Sequence, residues 1–266
     1  MTYFAFLGWW VGSPLLILTW LTWRDRQQGK RLPDTLQSWS ATAVIIAHVI
    51  VAVLYTTPWD NYLVATRVWW YDPARVTGII LGWVPLEEYT FFVLQTVLTS
   101  LWVLYLARRL PLKPMPTTAS GNRVRLTSAA LVALLWVISV LILALGWRPG
   151  VYLGLELVWA LPPILLQLAF GGDILWRYRF IVLWGIAAPT LYLSVGDIFA
   201  IGSGVWTIDP QQSTGIFLGG LPLEEFIFFL LTNTLIVFGT LLVLAAESHA
   251  RAPQALVRRM RQGWGS

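Results

Sequence analysis

Apolar residues fall into seven long stretches, separated by short segments that hold nearly all of the arginine, proline and aspartate. Each stretch is close to or above the roughly 20 residues that an α-helix needs to cross the hydrocarbon core of a bilayer. This pattern predicts an all-α fold, a polytopic membrane helical bundle with two three-helix repeats and one extra helix. The predicted spans are residues 3–23, 38–57, 78–107, 126–146, 151–170, 180–196 and 214–245.

The composition agrees with a membrane protein. Fifty-seven per cent of the residues are hydrophobic and 12% are charged, about half the charged fraction of an average soluble domain. Many of the 17 tryptophans are expected at helix ends, where tryptophan anchors a protein at the membrane interface. The absence of cysteine excludes disulfides, thiolate metal sites and cysteine nucleophiles.

The basic residues predict the orientation of the helices. The first apolar stretch has no basic residue before it and four after it, the reverse of a signal peptide, so we expect it to remain with the N-terminus outside. Fifteen of the 18 lysines and arginines then lie in inside segments, as the positive-inside rule requires. Because they sit at helix ends, they do not indicate nucleic-acid binding. We predict a multi-pass cell-membrane protein with a cytoplasmic C-terminus.

The chain contains an internal repeat. Residues 72–94 read DPARVTGIILGWVPLEEYTFFVL and residues 209–231 read DPQQSTGIFLGGLPLEEFIFFLL, with 14 of 23 positions identical. The same offset of 137 residues pairs Asp60 with Asp197. The first and fifth helices do not align at this offset and are paired only by their order in the chain. The repeating unit is therefore predicted to contain three helices.

Two three-helix units in succession would face opposite ways, but the extra helix at 126–146 restores the orientation of the second unit. Both motifs then lie on the outer side of the membrane, in parallel repeats that place equivalent side chains at one depth across a central cleft. The predicted units are the first repeat, a linker with the connecting helix, the second repeat and a basic cytoplasmic tail, at residues 1–107, 108–150, 151–246 and 247–266.

Each repeat carries a Pro-Leu-Glu-Glu motif within an apolar span. The glutamates are Glu87 and Glu88 in the first repeat and Glu224 and Glu225 in the second. Charged groups in hydrocarbon cost several kcal/mol and normally face a cavity or a partner. We therefore interpret the four glutamates as catalytic candidates that face one another.

The prolines of the motif, Pro85 and Pro222, are expected inside the motif helices, where a kink would aim the carboxyls inward. A structural alternative is that the glutamates form hydrogen bonds with the backbone of the broken helix, or pair with an arginine near the outer face. No arginine of the second repeat matches Arg67 or Arg75, so pairing does not explain both copies.

Carboxyls buried close together cannot all be ionised. A protonated acid and an ionised base would therefore coexist among the four glutamates, as expected where one group donates a proton and another removes one. The sequence does not show which glutamate has which role.

Aromatic residues surround the glutamates in both copies. We expect their faces to stabilise a passing cation without quenching it; the alternative is ordinary packing or contact with lipid. The candidates are Trp83, Tyr89, Phe91, Phe92, Phe226, Phe228 and Phe229, with Trp69, Trp70, Tyr71 and Trp206 just upstream.

Other polar residues have two interpretations each. The aspartates before the motif helices either cap a loop or a helix start, or support the glutamates; they are Asp60, Asp72, Asp197 and Asp209. We interpret His48 as a hydrogen-bonded interior residue, since Gly185 stands at its counterpart. Glu156 either joins the proton network or bridges helices.

These motifs resemble a known family. The repeated Pro-Leu-Glu-Glu-Tyr/Phe-x-Phe-Phe, the upstream Asp-Pro and the two three-helix units are similar to the lycopene cyclases of the heterodimeric type, in their fused single-chain form. The resemblance spans nearly the whole chain. It implies protonation of a terminal double bond of lycopene, attack by the next double bond on the cation and loss of a proton, which gives β-carotene or its one-ring precursor.

Such a cyclisation is a redox-neutral isomerisation that needs an acid, a base, aromatic walls and exclusion of water. We expect no cofactor and no metal, and no strand is followed by the G-x-G-x-x-G of the flavin-dependent cyclases. The expected partners are lycopene and related carotenoids, membrane lipid and other enzymes of the carotenoid pathway.

Three other classes of membrane protein share some of these features. A retinal-binding rhodopsin is excluded because Lys30 and Lys113, the only lysines, fall in loops. A proton-coupled transporter also uses intramembrane glutamates, but parallel repeats and dense aromatics disfavour it. A membrane prenyltransferase needs clustered aspartates for magnesium-diphosphate, and the spans contain no such cluster. The sequence leaves open β-, ε- or γ-rings, one ring or two, and one site or two; we favour one asymmetric site.

Overall fold

The computed structural model describes residues 1–252, which form a helical bundle. Seven of its helices are long and apolar enough to cross a membrane, so the predicted fold class is confirmed. A short helix, α8, follows the last of them. The helices are α1 (Tyr3–Gln27), α2 (Ala41–Ala65), α3 (Leu86–Ala107), α4 (Thr118–Ala144), α5 (Val151–Arg177), α6 (Arg179–Gly202), α7 (Leu223–Leu244) and α8 (Ala246–Arg251). Most of the predicted basic tail lies outside the described residues.

The segments before the motif glutamates are β-hairpins, so the predicted helix starts at residues 78 and 214 are wrong. Strand β2 (Ile80–Leu81) pairs with β3 (Val84–Pro85), and β5 (Phe217–Leu218) pairs with β6 (Leu221–Pro222). Each hairpin turns through two residues, the first of which is a glycine with positive φ, as such turns require.

The motif prolines precede the helices instead of kinking them, which corrects the prediction. Pro85 and Pro222 each directly precede the first helical turn, in an extended or near-extended conformation. At that position a proline removes no helical hydrogen bond. The motif helices α3 and α7 therefore contain 22 residues each, which removes the excess length predicted for the third and seventh spans.

A two-stranded sheet joins the two halves of the chain. Strand β1 (Trp69–Tyr71) runs antiparallel to β4 (Trp206–Ile208), with Trp70 opposite Thr207. The two strands belong to the loops that precede the two motif helices, so both motif helices start from the same end of the bundle.

The first residues of α1 and α5 are anchored in the same way. The amide of Tyr3 donates to the carbonyl of Arg75 at 2.8 Å, and the amide of Tyr152 donates to the carbonyl of Gln212 at 2.9 Å. Arg75 and Gln212 are equivalent at the 137-residue offset. Helices α1 and α5 therefore correspond, but at an offset of 149 residues (152 minus 3).

Matching tryptophans support this correspondence. At the 149-residue offset Trp10 aligns with Trp159. The ring of Trp10 lies 5.7 Å from that of Tyr192, and the ring of Trp159 lies 5.7 Å from that of Tyr55. Tyr55 and Tyr192 are themselves equivalent, so the same contact between the halves occurs twice.

The motif helices form the centre of the bundle, and α4 packs on its periphery against α5. At the end opposite the hairpins, the carboxylate of Asp25 accepts hydrogen bonds from Arg108 at 2.9 Å and from Arg109 at 2.6 Å. This ion cluster fastens α1 to the end of α3.

Candidate active site

Four carboxyls from four helices line one central cavity of about 40 Å³. Glu88 and Glu225 come from the first turns of α3 and α7, and Asp60 and Asp197 come from near the ends of α2 and α6. Both pairs are equivalent in the repeat. The structure thus brings together two of the four predicted glutamates with two of the four predicted aspartates.

The cavity glutamates accept hydrogen bonds from tyrosines. Tyr3 donates to Glu88 Oε2 at 2.6 Å, and Tyr71 donates to the same oxygen at 2.9 Å. Tyr152 donates to Glu225 Oε1 at 2.7 Å. Burial, with the carboxyls of Asp60 and Glu88 nearby, raises the pKa of Tyr71 well above its ordinary value, so its hydroxyl remains a donor.

The cavity aspartates lack the tyrosine hydrogen bonds of the glutamates. Asp60 and Asp197 are 1% and 0% exposed, and neither oxygen of either residue accepts a hydrogen bond of good geometry from the described residues. Asp197 lies within hydrogen-bonding reach of Glu225. Two carboxyls can share such a contact when one of them is protonated.

Glu87 and Glu224 do not line this cavity, so the prediction that all four glutamates face one another is wrong. Glu87 Oε1 accepts the amide of Thr77 at 2.6 Å, and Glu224 Oε1 accepts the amide of Thr214 at 2.6 Å. In each half the first glutamate fastens the loop before the hairpin to the start of the motif helix. The cause is helix geometry, since adjacent helical residues point about 100° apart.

The aromatic walls contain only part of the predicted set. Phe91, Phe92, Phe228 and Phe229 line the cavity, with the rings of Phe91 and Phe229 6.3 Å apart in a T-shaped contact. They extend from the helix turn that follows the glutamates.

Four predicted aromatics lie outside the cavity: Trp70, Trp83, Tyr89 and Phe226. Trp83 is 65% exposed because it sits in the hairpin turn, where its amide donates to Asn61. Tyr89 donates to the carbonyl of Leu81 at 2.9 Å and so belongs to the same hairpin. Phe226 is equivalent to Tyr89 and is absent from the lining.

Other aromatics complete the walls from outside the motif helices. The ring of Trp59 stacks on that of Phe228 at 6.0 Å with an interplanar angle of 4°. Trp206 lies 5.0 Å from Tyr3 and 5.6 Å from Phe6. The cavity is thus enclosed by aromatic faces from both halves.

Asp72 and Asp209 form turns instead of joining the site. Asp72 accepts the amide of Ala74 at 2.9 Å, and Asp209 accepts the amide of Gln211 at 2.9 Å. Side-chain acceptance two residues along the chain is the hydrogen bond of an Asx turn.

Glu156 is a further buried acid beside the site. It is 0% exposed, neither carboxyl oxygen has a hydrogen-bond partner of good geometry in the described residues, and it follows Tyr152 by one helical turn. At the 149-residue offset its counterpart is Leu7, so this acid occurs in one half alone.

Sequence reasoning missed the tyrosines Tyr3 and Tyr152, because the 137-residue offset does not align their helices. The spacing that relates them is visible in the sequence. Tyr3 precedes Trp10 and Pro14 as Tyr152 precedes Trp159 and Pro163, so a search at a second offset would have found the pair.

Comparisons with known proteins agree with the motif. A family model described as lycopene cyclase matches residues 32–106 and 150–243. A lycopene beta-cyclase of Halobacterium salinarum is 37% identical over 91% of this chain and 95% of its own length. A bifunctional lycopene cyclase/phytoene synthase of Gibberella fujikuroi is 39% identical over 72% of this chain and 33% of its own length. No solved structure matches the chain.

Proposed function

Because the chain belongs to the lycopene cyclase family, we propose that it closes β-rings at the linear ψ-ends of lycopene in carotenoid biosynthesis. The observation that carries the proposal is the central cavity, in which Glu88, Glu225, Asp60 and Asp197 meet between aromatic walls. Acid, base and cation-stabilising groups are what this isomerisation needs.

The reaction begins when a protonated carboxyl gives its proton to one carbon of the terminal double bond. The other carbon becomes a cation, which the next double bond attacks to form the ring bond. A carboxylate then removes a proton from the ring and leaves a ring double bond. One proton enters and one leaves, so the step requires neither oxidant nor reductant.

The partners of the carboxyls support an assignment of roles. Glu88 and Glu225 lie in the first turns of their helices, where the helix dipole favours negative charge, and accept tyrosine hydrogen bonds. We assign them as bases. Asp60 and Asp197 accept none of good geometry and lie near the ends of their helices, and we assign them as the proton donors.

The walls would guide the cation. Aromatic faces attract a cation without forming a bond to it, and Phe91, Phe92, Phe228 and Phe229 present such faces next to the carboxyls. A cation that meets few nucleophiles survives long enough for the neighbouring double bond to attack.

We propose one shared site between two parallel repeats. Both bases line the same cavity, which favours a single site over two. Glu156, present in the second half alone, makes the site asymmetric.

We also propose that the N-terminus lies outside and the C-terminus in the cytoplasm. The arginines that bind Asp25 lie at the bundle end opposite the hairpins, and the positive-inside rule assigns such an end to the cytoplasm. The active site then opens near the outer half of the membrane. Lipid and other enzymes of the carotenoid pathway are its proposed partners.

Expression in cells that accumulate lycopene tests the activity. We expect the wild-type chain to convert lycopene into β-ring products, identified by chromatography and absorption spectra. The matched control is a chain with both Glu88→Gln and Glu225→Gln, which should leave lycopene unchanged. Unchanged lycopene with wild-type protein present in the membrane would overturn the proposal, and ε- or γ-ring products would correct the ring type.

A further inference from the structure

A second and larger cavity adjoins the carboxyl cavity. Its volume is about 620 Å³, and Phe92 and Phe228 line both cavities. From these rings it runs between α2, α5 and α7 towards the end of the bundle where Val243 and α8 lie. Phe228 and Val243 are 15 residues apart on α7, which corresponds to about 22 Å along the helix.

The exposure of one lining residue indicates that the cavity opens on the side of the bundle. Val51 lines it and is 61% exposed, on a helix whose outer surface is apolar and suited to lipid. Above this opening, the hydroxyl of Tyr55 donates to the carbonyl of Trp159 at 2.8 Å and joins α2 to α5. A hydrocarbon molecule dissolved in the bilayer can therefore reach the cavity without crossing water.

The lining suits an apolar ligand. Most of its surface is carbon, and three of the polar side chains along it contact protein partners. His48 contacts the carbonyl of Val44 at 2.7 Å, Gln95 donates to Thr232 at 2.9 Å, and Gln167 donates to the carbonyl of Leu235 at 3.1 Å. These donors need no partner on a ligand.

Small residues at two positions distinguish this cavity from the equivalent region of the repeat. Gly239 lets the ring of His48 lie against α7, since a Cβ at position 239 would overlap that ring. At the 137-residue offset, Trp102 stands in place of Gly239, and Trp184 stands in place of Ala47. Trp102 donates to the carbonyl of Trp184 at 2.9 Å, so bulky side chains occupy the equivalent region, between α3 and α6.

We propose that this cavity binds the unreacted part of the linear polyene while one end group reaches the carboxyls past Phe92 and Phe228. The inference rests on the proposed cyclase function and adds where the chain lies and from which side it enters. It also implies that the two ends of a carotenoid react one at a time, the second only after the molecule has been turned around.

The test fills the cavity. Ala47→Trp introduces the residue that the second repeat carries at the equivalent position, Trp184, and Ile46→Trp is the matched control, because Ile46 is 51% exposed and absent from the lining. Each variant is compared with wild type on lycopene and on a shortened linear polyene that keeps one ψ-end.

We expect Ala47→Trp to lower conversion of lycopene at least tenfold and to retain most conversion of the short polyene. We expect Ile46→Trp to convert both polyenes as the wild type does. Equal conversion of lycopene by Ala47→Trp and wild type would overturn the cavity assignment. Failure of the wild type on both polyenes would instead overturn the cyclase function. If Ala47→Trp does not fold, Val51→Trp at the opening provides the same comparison.

Discussion

The amide nitrogen of Gln95 donates to the hydroxyl of Thr232 at 2.9 Å, and these residues occupy the same position in the two repeats. Equivalent residues touch each other only near the axis that relates the halves, so this axis passes between α3 and α7. The backbone scaffold is nearly symmetric, and differences in function between the halves must come from side chains such as Glu156.

The two glutamates of each motif are expected to differ in role. Glu88→Gln or Glu225→Gln should lower ring formation at least about 100-fold, because general acid–base groups contribute that much or more. Glu87→Gln and Glu224→Gln keep an oxygen that accepts the loop amide and should retain most activity per folded molecule. Pigment analysis, normalised to the amount of protein in the membrane, measures both. A Glu87→Gln chain that folds but is as inactive as Glu88→Gln would contradict the assignment.

The tyrosine donors should matter unequally. Tyr152→Phe leaves Glu225 without a tyrosine donor, whereas Tyr3→Phe leaves Glu88 with Tyr71. A hydrogen bond to a charged group contributes about 1.5–3 kcal/mol, so we expect Tyr152→Phe to slow cyclisation roughly tenfold or more and Tyr3→Phe to slow it less. Initial rates on lycopene in membranes measure the difference. Tyr62→Phe, at a tyrosine 54% exposed, is the control and should match wild type; equal losses at Tyr3 and Tyr152 would refute the ranking.

Glu156 should reduce stability while it supports activity. A buried polar group without a partner costs about 1–3 kcal/mol, so Glu156→Leu is expected to raise the unfolding temperature. The same change should lower the cyclisation rate if the acid feeds protons to the Glu225 side. Thermal unfolding in detergent and rate measurements on the same samples separate the effects. A lower unfolding temperature would indicate instead that Glu156 bridges helices.

Asp25 should be a major stability determinant. It is 2% exposed and pairs with Arg108, whose side chain is 7% exposed. Removing one partner of a buried ion pair costs about 3 kcal/mol or more, so Asp25→Asn should clearly lower the unfolding temperature. Asp72→Asn is the control, because Asp72 and Arg75 are 42% and 34% exposed and exposed pairs contribute about 1 kcal/mol at most. Similar losses in the two variants would contradict this explanation.

The sequence predicts the helix count, because burial in lipid demands long apolar runs, and any acid within such a run is conspicuous. Asp60, Asp197, Glu88 and Glu225 stand out in the sequence as acids in or beside apolar runs. Their duplication was the strongest indication, since it separated them from single polar residues such as His48.

The sequence did not reveal the local geometry around those acids. The run from Gly78 to Pro85 is as apolar as the helix that follows, so hydropathy alone extends the helix through the hairpin. Gly82, placed where a two-residue turn would begin, is a sequence signal for a β-hairpin. Whether Glu87 or Glu88 faces the cavity depends on where the helix begins, and that start was misplaced by eight residues (86 minus 78).

The pairing of Trp69–Tyr71 with Trp206–Ile208 has a consequence for how the enzyme can be made. Main-chain hydrogen bonds at one end and the contacts of α3 with α7 through the centre hold the halves together, while α4 packs mainly on α5. We therefore expect the peptide between α3 and α4 to be dispensable for assembly. Two fragments that divide the chain within residues 108–117, expressed as separate polypeptides in the same cells, should associate in the membrane. Together they should restore pigment formation by complementation.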